Sequence, residues 1–174
     1  MKASHILGLV CMLAAVTLVN AEGRELKPGK EELECANCLV RVENGIVSLV
    51  HFYDNEKMEQ MRKLQALGYV QGGEDYAAQL TIPYSFTGAE MLVKVTIPLL
   101  DGSARDTQYI VIAASDESGR EVAREQIVPE KYNDIIKNKS FLSARLNTSG
   151  RKIGAIVLKF AGIKHVKISK IEVE

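Results

Sequence analysis

Apolar and polar residues alternate with a period of two along much of the chain beyond Leu39, as expected of strands with one buried face. The clearest run sets Ala78, Leu80, Ile82, Tyr84 and Phe86 against Gln79, Thr81, Pro83 and Ser85. A second sets Met91, Val93, Val95, Ile97 and Leu99 against Leu92, Lys94, Thr96 and Pro98, a strand of about ten residues. Leu39–Val42 and Ile46–Tyr53 are β-rich runs separated by Glu43-Asn44-Gly45, and Asn-Gly predicts a tight hairpin because both residues tolerate positive φ. Tyr109–Ala114 is unbroken apolar sequence, the pattern of a strand buried on both sides. Glu121–Val128, Phe141–Leu146, Ile153–Phe160 and His165–Val173 complete the set. In the last run Val166 and Ile168 are out of phase with Ile171 and Val173. One extra residue at Ser169-Lys170, a β-bulge, returns all four to the core. Pro83 and Pro98 each lack a ladder donor and are expected at an edge or a bulge.

Two segments break this rhythm. Asp54 or Asn55 can cap a helix over 55–67, with Glu56 and Glu59 in its first turn, Arg62 and Lys63 near its end and Gly68 just past it. Its stripe of Met58, Met61, Leu64 and Leu67 reads first as the side that packs on the domain. Pro129 to Lys137 predicts a second short helix. Eight or nine strands, short turns and one or two short helices point to an all-β fold. The expected architecture is a jelly-roll-like, two-sheet antiparallel β-sandwich over residues 35–174, with 22–34 as a polar N-terminal arm. No helix alternates with the strands, which disfavours a parallel α/β fold.

The first residues change the compartment. Lys2 precedes the uncharged apolar run Ile6 to Val19, and Val19-Asn20-Ala21 offers a cleavage site before the polar Glu22. Residues 1–21 therefore read as a signal peptide; the run is shorter than the roughly 20 residues a spanning helix needs, and no later segment is long and apolar enough to cross. About 150 residues remain, an ordinary size for one domain. The 22 basic and 22 acidic residues are evenly mixed, giving no reason to expect nucleic acid or an anionic membrane as partner. In an exported chain Cys35 and Cys38, a C-x-x-C, read first as a disulfide; a metal pair, a redox pair and free thiols are the alternatives.

Catalytic signatures are missing from the sequence: there is no G-x-S-x-G, no H-E-x-x-H and no glycine-rich phosphate loop. Adjacent Glu74 and Asp75 cannot face one another across a glycosidic bond. Acids at Glu34, Asp54 and Glu172 lack calcium-loop spacing, and neither a metal nor another cofactor is expected. Asn138-Lys139-Ser140 and Asn147-Thr148-Ser149 are glycosylation sequons, relevant only in a eukaryotic secretory pathway.

The stretch "SFLSARLNTSGRKIGAIVLKF" followed by "HVKISKIEVE" resembles the closing strands of galactose-binding-like jelly rolls, the group that includes many carbohydrate-binding modules of secreted enzymes. "YAAQLTIPYSF…EMLVKVTIPLL" and "YIVIAASDESGREVAREQIV" are similar to its middle strands. The chain departs from that pattern in having no tryptophan, and in Lys167 and Ser169 where an aspartate is common. The resemblance implies a secreted, non-catalytic module that recognises a glycan. A sugar presents apolar ring faces and hydroxyl edges, so a site needs an aromatic beside hydrogen-bonding groups. Tyr69 and Tyr76 with Gln71, Glu74 and Asp75, in a loop hinged by Gly72 and Gly73, are the candidate ligand residues. The alternative is an envelope or extracellular structural protein that binds another protein through the 55–67 helix or an exposed sheet edge.

Overall fold

Thirteen strands are defined in the computed structural model, which describes residues 24–27, 29, 32–51, 59, 63, 77–102, 109–128 and 141–174. They are β1 (Arg24–Leu26), β2 (Glu34–Ala36), β3 (Cys38–Glu43), β4 (Ile46–His51), β5 (Ala78–Thr87), β6 (Glu90–Thr96) and β7 (Leu99–Gly102). The remainder are β8 (Tyr109–Ser115), β9 (Glu121–Ile127), β10 (Phe141–Asn147), β11 (Lys152–Ala161), β12 (Ile163–Ile168) and β13 (Lys170–Val173). Every pairing is antiparallel.

One layer, the back, has the order β2-β5-β11-β8-β9. The front consists of two ladders, β3-β4-β12-β7 and β1-β13-β6-β10. These ladders share two chain paths: β12 runs into β13 across Ser169 while pairing β7, and β7 is the continuation of β6 across Ile97-Pro98 while β6 pairs β13. They therefore form one bent layer, and the fold is the jelly-roll-like β-sandwich that the alternation predicts.

The bend has a specific cause. Val166, Ile168, Ile171 and Val173 are all buried, with Ser169 and Lys170 both outside, and Ser169 N–H donates to Thr96 O at 3.0 Å. All four return to the core as expected, but no extra residue is inserted: Lys167–Leu99 and Lys170–Thr96 keep one register. The facing strand shifts phase at the same level, where sequence pattern predicted none. Ile97 is buried and Pro98 exposed; Leu100 then packs on the core while Leu99 faces out. The expected ten-residue strand is thus two strands, because Pro98 cannot donate to a ladder and the chain re-enters the sheet one residue out of phase.

A single core fills the space between the layers. Phe160, Leu158 and Ile156 of β11, Leu80 and Ile82 of β5 and Ile110 and Ile112 of β8 meet Met91, Val93 and Val95 of β6 and Leu142 and Leu146 of β10. Fully burying one such aliphatic side chain contributes roughly 1.5–3 kcal/mol. β8 is buried on both faces, as its unbroken apolar run predicts, and Val111, Ala113 and Val157 make a second small cluster on the outer side of the back layer. Tyr84 and Phe86 lie half-buried where β5 leaves the core, their rings stacked 6.5 Å apart. On the far side of the sandwich the Glu125 carboxylate accepts the Arg145 N–H at 3.1 Å, tying β9 of the back layer to β10, the front layer's last strand.

The Asn44-Gly45 hairpin forms as expected, with φ of 51° and 76°. Within the stretch expected as a polar arm, Arg24–Leu26 pairs with β13 as β1. Glu59 and Lys63, the described residues of the predicted 55–67 helix, are helical and ion-paired at 3.0 Å. The rest of that segment, residues 1–21 and 129–137, and Asn138 lie outside the described residues.

The Cys35–Cys38 disulfide expected from the C-x-x-C is not present: both residues are free thiols. Cys35 closes on the back layer and Cys38 opens β3 of the front layer, with Asn37 (φ 59°) turning the corner between them. That turn leaves Cys35 exposed and Cys38 buried. Cys35 Sγ donates to Cys38 O (3.1 Å), Cys38 Sγ to Gln79 O (3.4 Å) and Asn37 Nδ2 to Ala77 O (3.0 Å). Hydrogen bonds, not a covalent staple, hold this crossing.

Burial, reinforced by the neighbouring Cys35 thiol, pushes the Cys38 thiol from its ordinary 9.0 up to about 12. A raised thiol pKa stabilises the fold below the unfolded value. Stability is therefore expected to decline as pH climbs from about 9 toward 12, and to decline less in Cys38→Ser. Peptide mapping after thiol alkylation should find Cys35 modified in the native protein and Cys38 only after unfolding; equal modification of both would contradict this corner.

Gly154 sits on β11 opposite the β5 bulge, where an added Cβ would lie 2.9 Å from Glu117 Cα and 3.0 Å from Glu117 N in the β8–β9 turn. Both are backbone atoms, so relief requires the turn to move. Gly154→Ala should destabilise by roughly 1–3 kcal/mol, read as a lower Tm in calorimetry. An unchanged Tm would mean the turn does not rest on β11.

Candidate functional site

Pleating places alternate residues of β3, β4, β12 and β7 on the outer side of the front layer, and the strand register decides which of them meet. One row across the four strands reads Leu39–Val50–His165–Asp101. The next reads Arg41–Ser48–Lys167–Leu99, and a third begins Glu43–Ile46 beside the hairpin. Beyond the bend the same outer side continues as Lys170–Thr96–Phe141.

This side is unusual for its apolar content. Six large hydrophobic residues are exposed among the described residues: Leu39, Ile46, Val50, Leu99, Val128 and Phe141. All but Val128 stand on the outer side of the front layer, with Leu39 at 59% and Phe141 at 47% exposure. Scattered single exposures are ordinary, but their concentration on one sheet face marks a contact surface.

Between β3, β4 and β12 the surface sinks into a groove of about 490 Å³. Leu39, Ile46 and Val50 supply its apolar wall; Arg41, Glu43, Asn44, Ser48, His165 and Lys167 supply hydrogen-bonding groups. Ser48 Oγ and His165 Nε2 lie 3.0 Å apart, which fixes the imidazole over the floor. Outside the groove, beyond the bend on the same outer side, the Lys94 ammonium sits 5.6 Å from the Phe141 ring centroid, a cation–π contact that holds one side of an otherwise open aromatic. The volume lies within the range of small-molecule sites, about 300–1,000 Å³. The arrangement can bind a ligand that is itself apolar on one side and polar on another.

Two further grooves, of about 440 and 460 Å³, adjoin at Pro83, Ser85 and Gly154. They follow the interruption of the β5–β11 ladder, where Pro83 has no N–H and β5 is bulged, Tyr84 and Ser85 facing the single Gly154. Pro83 thus occupies the bulge-side position expected of it. Their charged groups are largely engaged internally. Lys27 pairs with Glu25 and Lys152 with Glu117, while Asp116 Oδ1 accepts Ser118 N–H (3.0 Å), Ser118 Oγ–H (2.6 Å) and Arg120 N–H (3.0 Å). The Ser118 hydroxyl, more than any other contact, holds the Asp116 carboxyl below the usual range.

The sequence-predicted ligand residues Tyr69, Gln71, Glu74, Asp75 and Tyr76 all lie outside the described residues. Among the described residues no group of three or more His, Cys, Asp or Glu side chains is placed to hold a metal ion. Arg41, Ser48, Leu99, Phe141, His165 and Lys167 were not anticipated. A signal for them existed: in Leu39-Val40, Ile46-Val47 and Leu49-Val50 both faces of the strand are apolar, whereas a solvated outer face calls for a polar residue at every second position.

No known protein family and no curated protein matches the chain in sequence. Among solved structures, the chain is similar to a variant of the family 29 carbohydrate-binding module CBM29-2, at 10% identity and a TM-score of 0.45 over 86% of this chain and 87% of that one. A second CBM29-2 variant, complexed with cellulohexaose, matches at 10% identity and a TM-score of 0.44 over 88% and 93%. The C-terminal CBM6 of LamC, a marine laminarinase from Zobellia galactanivorans, matches at 9% identity and a TM-score of 0.45 over 87% and 98%.

Proposed function

We propose that this chain is a secreted, non-catalytic domain that binds a glycan on the outer side of its front layer. The observation that carries the reading is the interleaving on that side: exposed Leu39, Val50, Leu99 and Phe141 share rows with Arg41, Ser48, His165, Lys167 and Thr96. A pyranose ring has an apolar face and a rim of hydroxyls, and binding it takes both kinds of group within a few ångströms. A protein interface built on a continuous apolar patch has less use for a polar group beside every apolar one. The leader-like residues 1–21 support export, and the lack of any catalytic signature supports binding without turnover. The glycine-hinged loop with Tyr69 and Tyr76 is a second contributor of aromatic contact, with Gln71, Glu74 and Asp75 as its polar partners.

The test is a polysaccharide panel in affinity electrophoresis, run on the wild type, Phe141→Ala and Tyr69→Ala/Tyr76→Ala. Phe141 is exposed, so its removal should leave the melting curve intact while weakening binding about tenfold, the equivalent of roughly 1.4 kcal/mol of ring contact. Binding that survives both variants would move the site elsewhere. No retention on any polysaccharide would sink the glycan reading and leave the protein-binding alternative, through the 55–67 helix or a sheet edge.

A further inference from the structure

Charge on the front layer is distributed unevenly. Beyond the bend most charged side chains pair with one another: Lys94 with Glu174, Lys170 with Glu172 at 2.7 Å and Arg145 with Glu90 at 3.5 Å. The groove between β3, β4 and β12 differs. Arg41 and Lys167 flank Ser48 in a single cross-strand row, and among the described residues neither has a carboxylate within 4.0 Å. Strands lie about 4.8 Å apart, so the two cations stand roughly 10 Å from each other across the groove, one on each side. Glu43, on the same outer side of β3, is the groove's one carboxylate among the described residues, and Asp101 lies beyond His165 at the far end of its row. Two cations with no carboxylate partner among the described residues therefore share one concave site, in a chain with equal numbers of acidic and basic residues.

Resting on the glycan reading above, we infer that the groove takes an anionic polysaccharide, with Arg41 and Lys167 each meeting a carboxylate or sulfate group of the chain. Guanidinium is suited to planar, two-point contact with an oxyanion, and the lysine acts as a point charge that tolerates variation in where the second group falls. Ser48 and His165 between them address the ring hydroxyls, and Leu39, Ile46 and Val50 take its apolar face. Neutral glycans satisfy only the last two sets of contacts.

The experiment compares a polyuronate, a sulfated galactan and a neutral β-glucan in affinity electrophoresis against the wild type, Arg41→Gln/Lys167→Gln and Lys152→Gln. Lys152 is an exposed cation beside Glu117, away from the groove, and controls for diffuse attraction to any polyanion. At least one acidic polymer should be held about ten times more tightly than the neutral one, with retention falling as salt rises from about 50 to about 300 mM. The double variant should lose most of that preference while Lys152→Gln keeps it; the two acidic arms separate carboxylate from sulfate recognition. Equal binding of acidic and neutral polymers, unaffected by the double variant, would overturn this inference and leave the glycan reading standing. Acidic binding reduced as much by Lys152→Gln would overturn it as well. No binding to any of the three would overturn both.

Discussion

The bend in the front layer is the constraint from which the candidate site follows. At one level two neighbouring antiparallel strands each shift phase by one residue, at Ile97-Pro98 and at Ser169-Lys170, and Ser169 N–H bonds to Thr96 O across the pair. A single strand with such a shift would lose register with its neighbour. Two shifted together keep Ile97, Leu100, Ile168 and Ile171 pointing inward on both sides of the bend. The same shift turns Leu99 outward, opposite Lys167, where it extends the apolar and polar rows of the β3-β4-β12-β7 ladder. The core and the exposed face are therefore set by one backbone feature. Removing it would expose residues such as Ile171 and Val173, each contributing roughly 1.5–3 kcal/mol when buried.

The two layers divide the work between them. The back layer holds the most deeply buried strand, β8, and its outer side carries a second buried cluster, so it serves as scaffold. The front layer is buried on its inner side, and its outer side gathers nearly all the exposed large hydrophobic residues described. Crossings between layers are made by short polar links. Asn37 and the two thiols hold the β2–β3 corner, and the Glu125 carboxylate bonds the Arg145 N–H at the far side. β3, which supplies Leu39 and Arg41, begins at that first corner, so the geometry of one wall of the groove depends on the packing around Cys38.

Much of this architecture is legible in the chain. Period-two alternation marks β5, β6 and β10; the Asn44-Gly45 turn and the phase shift at Ser169 follow from local chemistry and from the need to keep Ile171 and Val173 inside. The phase shift at Pro98 was less visible, because Leu92 to Leu100 is apolar at enough positions for one continuous alternation to look satisfactory. A C-x-x-C fixes only a spacing. Whether the two thiols meet depends on the corner between layers, and here the left-handed Asn37 turns one out and the other in. The groove was hidden for a related reason: Arg41, Ser48, His165 and Lys167 lie far apart in sequence, and only the β3–β4–β12 register brings them together.

The central claim is that the outer side of β3, β4, β12 and β7 is the ligand-binding face. Backbone amide chemical-shift mapping, during titration with an acidic oligosaccharide released from whichever polymer binds, addresses it most directly. The account predicts shifts centred on Leu39, Arg41, Ser48, Val50, His165 and Lys167, tapering toward Leu99 and Phe141, with β8 and β9 unmoved. Shifts confined to the grooves beside Pro83 and Gly154, or to the back layer, would contradict it.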